Sequence, residues 1–254
     1  MTSPVEVHRE GKVLVITIQR PQARNAIDGA TALAIAAGLD QLEGDRSVAV
    51  GILTGAGGTF SSGMDLKAFL RGERPEVPGR GLAGLTRTPP RKPLIAAVEG
   101  YAVAGGFELV LACDLVVAAT DATFGLPEVK RGLIAGSGGL LRLPARLPPA
   151  IAMELALTGD NLTAVEAHRW GLVNRLSVPG EALATALALA AQVCANGPLA
   201  VRTTKALITG AVHWSQNEAW AQQDAMLLDV VASADAKEGA AAFVDKRLPI
   251  WEDG

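Results

Sequence analysis

Glu108 and Glu128 are the side chains whose surroundings in this sequence could support acid–base chemistry. Glu108 stands in AVEGYAVAGGFELVLACD, one turn into a helix that begins at the pair Gly105-Gly106. The first turn of a helix leaves main-chain N–H groups unpaired and partly positive, a setting that favours an anion. The two glycines remove side chains, so a ligand can come close to the backbone there. Glu128 follows Pro127 in FGLPEVKRGLIAGSGG, an otherwise apolar and glycine-rich stretch. Apolar surroundings can push the ionisation of two carboxyls apart, leaving one charged and the other protonated. Acid–base work on one substrate needs that pairing. Composition and spacing leave a second reading open for each: Glu108 as a solvated helix residue complementing the dipole, Glu128 as a surface turn residue.

The elements that must position these groups follow from periodicity. Val13 to Ile18 and Val48 to Leu53 are β-branched runs of strand length. Asp28 to Glu43 has helical periodicity, with Leu33, Leu39 and Leu42 on an alanine-rich background and Asp28 as its N-cap. GAGGTFSSGMDLKAF is a glycine-rich loop leading into a helix at Asp65. Residues 71–92, rich in Pro, Gly and Arg, read as a mobile loop over a site. Leu94–Glu99 is expected as a strand, Gly105–Ala112 as a helix, Asp114–Ala119 as a strand and Thr123-Phe124 as a short one. Strand–turn–helix units of this length imply a mixed α/β core. Beyond residue 147 the pattern is helical, with capping boxes expected at Thr163/Glu166 and Asp235/Glu238. The division expected is an α/β core at 1–195 and a helical region at 196–254.

Bulk properties narrow the class. The chain has 254 residues, 49% hydrophobic and 19% charged, the balance of a globular enzyme with a core of its own. Its formal net charge of −3 argues against a nucleic-acid partner but leaves room for a small anion held by a few local cations. Cys113 and Cys194 lie in apolar runs without a CxxC companion and read as buried small hydrophobes. No run reaches the ~20 apolar residues of a membrane helix. The N-terminus lacks a signal-peptide or transit-peptide layout and IWEDG is no peroxisomal address, so a cytoplasmic protein is expected. GAGGT lacks the GK[ST] of a P-loop, and AGSGG lacks the first glycine of a nucleophile elbow. His8, His168 and His213 are scattered and read as structural or surface residues.

The stretch VEGYAVAGGFELVLACD (98–114) resembles the signature of the crotonase, or enoyl-CoA hydratase/isomerase, superfamily. RPQARNAI (20–27), LTGAGGTFSSGMDLKAF (53–69), FGLPEVKRGLIAGSGGLLRL (124–143), ALTGDNLTAVEAHRWGLVNRL (156–176) and EGAAAFVDKR (238–247) extend the likeness in the same order over most of the chain. The resemblance implies a ββα spiral core and a helical C-terminal region that packs in trimers, often paired as hexamers. It also implies an oxyanion hole from the N–H groups of Met64 and Gly105, catalysis by Glu108 and Glu128 on one water, and help from the Gly136 N–H in holding that water. Arg24, Ser62, Met64, Asp65, Leu66, Lys67 and Gly105 align with substrate-binding positions, Arg24 and Lys67 as phosphate neighbours. Coenzyme A belongs to the substrate, and neither metal nor cofactor is implied.

What is implied is hydration of a 2-enoyl-CoA thioester. Attack at Cβ loads charge on the thioester oxygen, and losing one donor to such an oxygen costs on the order of 3–4 kcal/mol. Glu128 is the expected proton donor. Having both glutamates favours hydration or dehydration over double-bond isomerisation, which stays a lesser alternative, and no histidine stands near either motif as in the dehalogenase branch. LPEVKRGLIAGSGGLLRLPARLPPAIAMELALTG, HRWGLVNR and KRLPIW also resemble carnitinyl-CoA dehydratases, which use the same two glutamates; this is the main alternative. An inert acyl-CoA-binding protein is a third. The sequence departs from the family at Ala104, at Ala135 and at Leu126, where hydratases of fatty chains often have Gln.

Overall fold

The computed structural model describes residues 3–252. Strands β1 (Val5–Glu10) and β2 (Val13–Ile18) form a hairpin, and helix α1 (Gly29–Gly44) crosses over to β3 (Val50–Gly55). Then come α2 (Leu66–Leu70), the short strands β4 (Glu76–Val77) and β5 (Gly81–Leu82), β6 (Leu94–Val98), β7 (Tyr101–Val103), α3 (Gly105–Ala112), β8 (Leu115–Ala119) and β9 (Thr123–Gly125). A 3-10 turn at Pro127–Arg131 leads to α4 (Gly139–Arg146), α5 (Pro149–Thr158), β10 (Asn161–Thr163), α6 (Ala164–Arg169), β11 (Arg175–Ser177) and α7 (Ala182–Cys194). The chain closes with α8 (Pro198–Ala211), α9 (Gln216–Ala232) and α10 (Ala234–Val244).

The main sheet runs β1-β2-β3-β6-β8-β11, antiparallel only at β1/β2 and parallel elsewhere. A parallel sheet covered on both faces needs strands that are apolar throughout. Here Val13, Val15, Val50, Ile52, Ile95 and Ala97 face Ala186, Leu189 and Ala190 of α7. Their neighbours Leu14, Ile16, Leu53, Leu94, Ala96 and Val98 face the larger core on the other side, with α1 and α3. Within a second layer, Ser61 bridges Ala102 of β7 in parallel, and β7 pairs with β9 in parallel. The chain thus repeats strand, short strand and helical turn three times: β3, Ser61 and α2; β6, β7 and α3; β8, β9 and the turn leading to α4. This is the ββα spiral. No single helix among the described residues is long and apolar enough to cross a membrane.

Several local expectations hold. Asp28 caps α1 by accepting from Thr31 N–H at 2.8 Å, α3 spans the expected residues, and the Thr163/Glu166 capping box forms. Others need correction. Leu33 is 62% exposed: at 100° per residue it lies about 120° round the helix from Leu39, whereas Ile35, Ala36, Leu39 and Leu42 share the buried face. Residues 71–92 are not simply a loop, because β4 and β5 pair as a hairpin there and Leu82, Ala83 and Leu85 are buried in the main core. The Asp235/Glu238 box is absent. Ser233 caps α10, and Glu238 instead takes a two-pronged ion pair from Arg247, at 2.6 and 2.9 Å. Ser215 and Glu218 form a capping box that sequence reading passed over. Cys113 is buried and Cys194 partly so, both as free thiols.

At the end of β3 a Cβ on Gly55 would lie on the carbonyl oxygens of Thr59 and Phe60, whereas one on Gly44 would meet nothing within 4 Å. Gly55→Ala is therefore expected to lose about 3 kcal/mol in urea unfolding. Gly44→Ala, inside α1, should be neutral or gain up to ~1 kcal/mol. Equal stability of the two variants would contradict this account of the turn.

Candidate active site

Three turns of the spiral bring their loops to one place. The first turn is shaped by Asn25. This residue is fully buried, and its amide donates to the carbonyls of Ala56 (2.8 Å) and Thr59 (2.6 Å) while its Oδ1 accepts from Arg20 N–H. Ser61 Oγ donates to the Asn25 carbonyl at 2.8 Å and accepts from Gly63 N–H at 3.1 Å. This network fixes the segment that ends at Met64.

The second turn places Gly105 beside it. A Cβ on Gly63 would sit 2.7 Å from Gly105 N, and one on Gly105 would sit 3.5 Å from Met64 N. The N–H groups of Met64 and Gly105 are thus neighbours across a gap that only glycine leaves open, and neither donates to a protein acceptor among the described residues. Ala104, which precedes the helix, has φ 51° and ψ −131°. Such a backbone is costly for a residue with a Cβ, on the order of 1–3 kcal/mol. It is held from both ends, Ala104 N–H donating to Gly125 O and its carbonyl accepting from Glu108 N–H.

Glu108 is 3% exposed, in a helix whose eight residues are all buried. Its Oε1 accepts from Ser137 N–H at 2.7 Å and from Gly139 N–H at 2.9 Å. Gly139 must be glycine, since a Cβ there would lie 2.9 Å from Glu108 Cγ. Burial pushes the Glu108 carboxyl up to about 7, against the pull of the Gly139 and Ser137 N–H groups, and the charge of Glu128 raises it further. Glu128 lies in the 3-10 turn of the third spiral turn, half-buried, with its Oε2 enclosed and without a protein partner. Burial raises it too, opposed by hydrogen bonding to its own N–H and by Arg131. Two carboxyls within electrostatic reach, both raised, favour holding one proton between them.

The remaining predicted positions are placed as follows. Gly136 is exposed, in the loop next to Ser137. Arg24 is exposed at φ 51°, and its carbonyl accepts from Ser62 N–H at 3.0 Å. Asp65 caps α2 through Lys67 and Ala68 N–H and pairs with Arg20 at 3.0 Å, so its carboxylate is already occupied. Leu66 and Lys67 are exposed beside it, while Ser62 and Met64 are half-buried. Sequence reading missed Ser137 and Gly139 as donors to Glu108, because a main-chain N–H has no letter; the sole signal was the glycine density of AGSGG. Leu82 was missed as well. Its Cδ2 would lie 3.0 Å from a Cβ on Gly105, so it packs against the Cβ side of that residue.

The chain is similar to known proteins over its whole length. The family model described as enoyl-CoA hydratase/isomerase matches residues 8–254. An enoyl-CoA hydratase structure from Mycobacterium tuberculosis H37Rv is 58% identical, superposes with a TM-score of 0.98, and is covered fully, as is this chain. A carnitinyl-CoA hydratase structure from Mycobacterium avium is 43% identical with a TM-score of 0.80, again with full coverage of both chains. The carnitinyl-CoA dehydratase of Salmonella typhi is 42% identical over 99% of each chain.

Raised ionisation of Glu108 makes a claim about stability with a definite sign. A carboxyl whose folded value lies near 7, above the ordinary 4.5, favours the folded state fully below the ordinary value and loses that contribution as pH climbs through 7. Glu108→Gln keeps an acceptor for both N–H groups but carries no charge. Its Tm should exceed that of the wild type at pH 8, and the gap should close by pH 5. A gap independent of pH would contradict the burial argument.

Proposed function

This chain belongs to the enoyl-CoA hydratase/isomerase family, and from that premise we propose that it is a hydro-lyase adding water across the double bond of a 2-enoyl-CoA thioester to give the 3-hydroxyacyl thioester. The observation that carries the reading is a buried Glu108, its Oε1 gripped by two N–H groups, within electrostatic reach of Glu128, whose enclosed Oε2 is unpartnered. Beside the pair lie the adjacent free N–H groups of Met64 and Gly105.

In this reading the thioester oxygen accepts from Met64 and Gly105 N–H. These donors face the atom where charge develops, which is where preorganised donors act most strongly. Two main-chain donors stabilise the charged form of Glu108, so Glu108 is the base that takes a proton from water. The resulting hydroxide oxygen bonds to Cβ, and the double-bond pair moves onto Cα and the thioester oxygen. Glu128, whose enclosed Oε2 favours the protonated form, delivers its proton to Cα. Exchange with solvent then resets the pair. Gly136 lies beside Ser137 and is proposed to steady the water through its N–H. Arg24, Ser62 and Met64 to Lys67 are proposed to border the coenzyme A portion, with Arg24 and Lys67 toward its phosphates. The chemistry needs no further cofactor.

The second reading, dehydration of carnitinyl-CoA, is favoured by the curated relatives of that name at 42–44% identity. The hydratase reading is supported by the higher identity and TM-score of the enoyl-CoA hydratase structures. The acyl group alone differs. The helical region from about residue 196 is proposed to assemble the chain into trimers or pairs of trimers. Val212, Trp220, Leu228, Phe243 and Val244 are each more than half exposed there, an apolar surface that a monomer seldom keeps in water.

Glu108→Gln and Glu128→Gln should each lower kcat for crotonyl-CoA hydration by at least ~100-fold. The wild-type kcat/KM should rise with pH through about 7 as Glu108 ionises. A kcat/KM ratio favouring crotonobetainyl-CoA over crotonyl-CoA would hand the assignment to the second reading. Inactivity of the wild type on both would end the enzymatic one. Light scattering at micromolar concentration should give a mass three or six times the 26.2 kDa chain, and a monomer would contradict the assembly.

A further inference from the structure

Arg142 is half-buried on α4, one turn past Gly139, and the mechanism above leaves it without a role. Its main-chain N–H bonds to Gly138 O at 3.1 Å, and its side chain folds back over Gly138, where a Cβ would collide with Nη1. Gly138 has φ 98°, a backbone that glycine adopts freely. From there the guanidinium donates through Nη2 to the carbonyl of Thr86. Thr86 is 3% exposed, and its hydroxyl accepts from Leu82 N–H at 3.0 Å. Leu82 is the residue that walls Gly105. One side chain thus ties the helix whose first N–H donates to Glu108 to the 82–86 segment, whose Leu82 side chain packs against Gly105. The charges acting on Glu108 from its surroundings are Glu128, which opposes its ionisation, and Arg142, which favours it. Those acting on Arg142 are Glu108, which favours its charge, and Arg146, which opposes it along with burial; the nearby Cys113 thiol, pushed up to about 12 by burial, is uncharged at neutral pH.

We propose that Arg142 is a positioning residue that does two things at once: it clamps the 82–86 segment onto Gly105, and its guanidinium, held over the Gly138 that separates the two N–H donors of Glu108, favours the charged form of that carboxyl. The clamp half rests on the thioester reading given above. The electrostatic half does not, because it concerns a carboxyl and a guanidinium whatever the substrate.

The test uses protein labelled with 13C at the glutamate side-chain carboxyls, the Glu108 signal being assigned by its loss in Glu108→Gln. In Arg142→Gln the titration midpoint of Glu108 should move up by about one pH unit. In Arg142→Lys it should stay near the wild-type value. Both variants should bind acetyl-CoA about tenfold more weakly by calorimetry, as expected when a hydrogen bond to a charged group is lost. An unchanged midpoint in a folded Arg142→Gln overturns the electrostatic half. Should that variant not fold, Arg142→Lys decides: a wild-type midpoint with weakened acetyl-CoA binding supports the clamp, and unaltered binding overturns it. A wild type that binds acetyl-CoA yet hydrates no thioester would sink the hydratase reading while leaving the Arg142 result to stand.

Discussion

The site depends on holding a carboxyl almost wholly out of bulk solvent. Transferring a charged oxygen from water to an apolar interior is expensive unless donors replace the lost solvent. Ser137 and Gly139 provide that replacement at Glu108 Oε1, from a loop 29 and 31 residues away in sequence. Much of the local sequence answers to this bond. Gly139 has no side chain because the Glu108 chain fills that space, and Gly138, between the two donors, turns left-handed in the loop that aims both at one oxygen. Helix α3 is buried along its whole length, and Glu108 with it. Burial and donors then oppose each other, and the group settles near neutrality rather than at either extreme.

The pair of main-chain donors beside it is bought with strain. Bringing Gly105 N close to Met64 N requires α3 to begin abruptly, directly after β7. Ala104 takes the conformation that this demands, at a φ where a residue with a Cβ is disfavoured. It persists because its N–H and its carbonyl are fixed to Gly125 and to the Glu108 main chain, one bond to the neighbouring spiral turn and one to the helix itself. The same residue that precedes the helix therefore links Gly105, Glu108 and the strand leading to Glu128. Strain in this place marks a site that the surrounding layers over-determine.

How much of this could be read from the sequence follows from which interactions have letters. Helix α3, the Asp28 cap and the Thr163/Glu166 box were legible because side-chain type and spacing encode them. The two glutamates were legible as an unusual setting, but their burial was not, since a glutamate one turn into an amphipathic helix looks the same when solvated. The donors Ser137 and Gly139 were hidden because they act through the main chain. The hairpin at Glu76–Leu82 was hidden because its strands are two residues long and its ladder lies among prolines, glycines and arginines. Ser233 displaced the expected cap at Asp235 because a free hydroxyl at that point of the turn reaches Ala236 N–H, while Glu238 finds a stronger partner in Arg247. Local pattern names candidates; tertiary partners choose among them.

Burial of Glu108 and exposure of the C-terminal helices are connected sides of one economy of apolar surface. The main core is closed by α1, α3 and the hairpin on one face of the sheet and by α7 on the other, so the strands need nothing further to cover them. Helices α8 and α9 have no fully buried residue, and α10 has two, Asp235 and Ala242. They are fastened to the rest by polar anchors instead: Lys205 Nζ to Asp114 and to the Lys92 carbonyl, and Trp251 Nε1 to Ala195 O. A helical region with few core contacts of its own but a fixed attachment suits a part whose apolar faces meet other chains. Glu108 and its donors come from α3 and from the loop leading into the start of α4, whereas the exposed apolar residues of the C-terminal region lie from α8 onward, so the two features are carried by different elements.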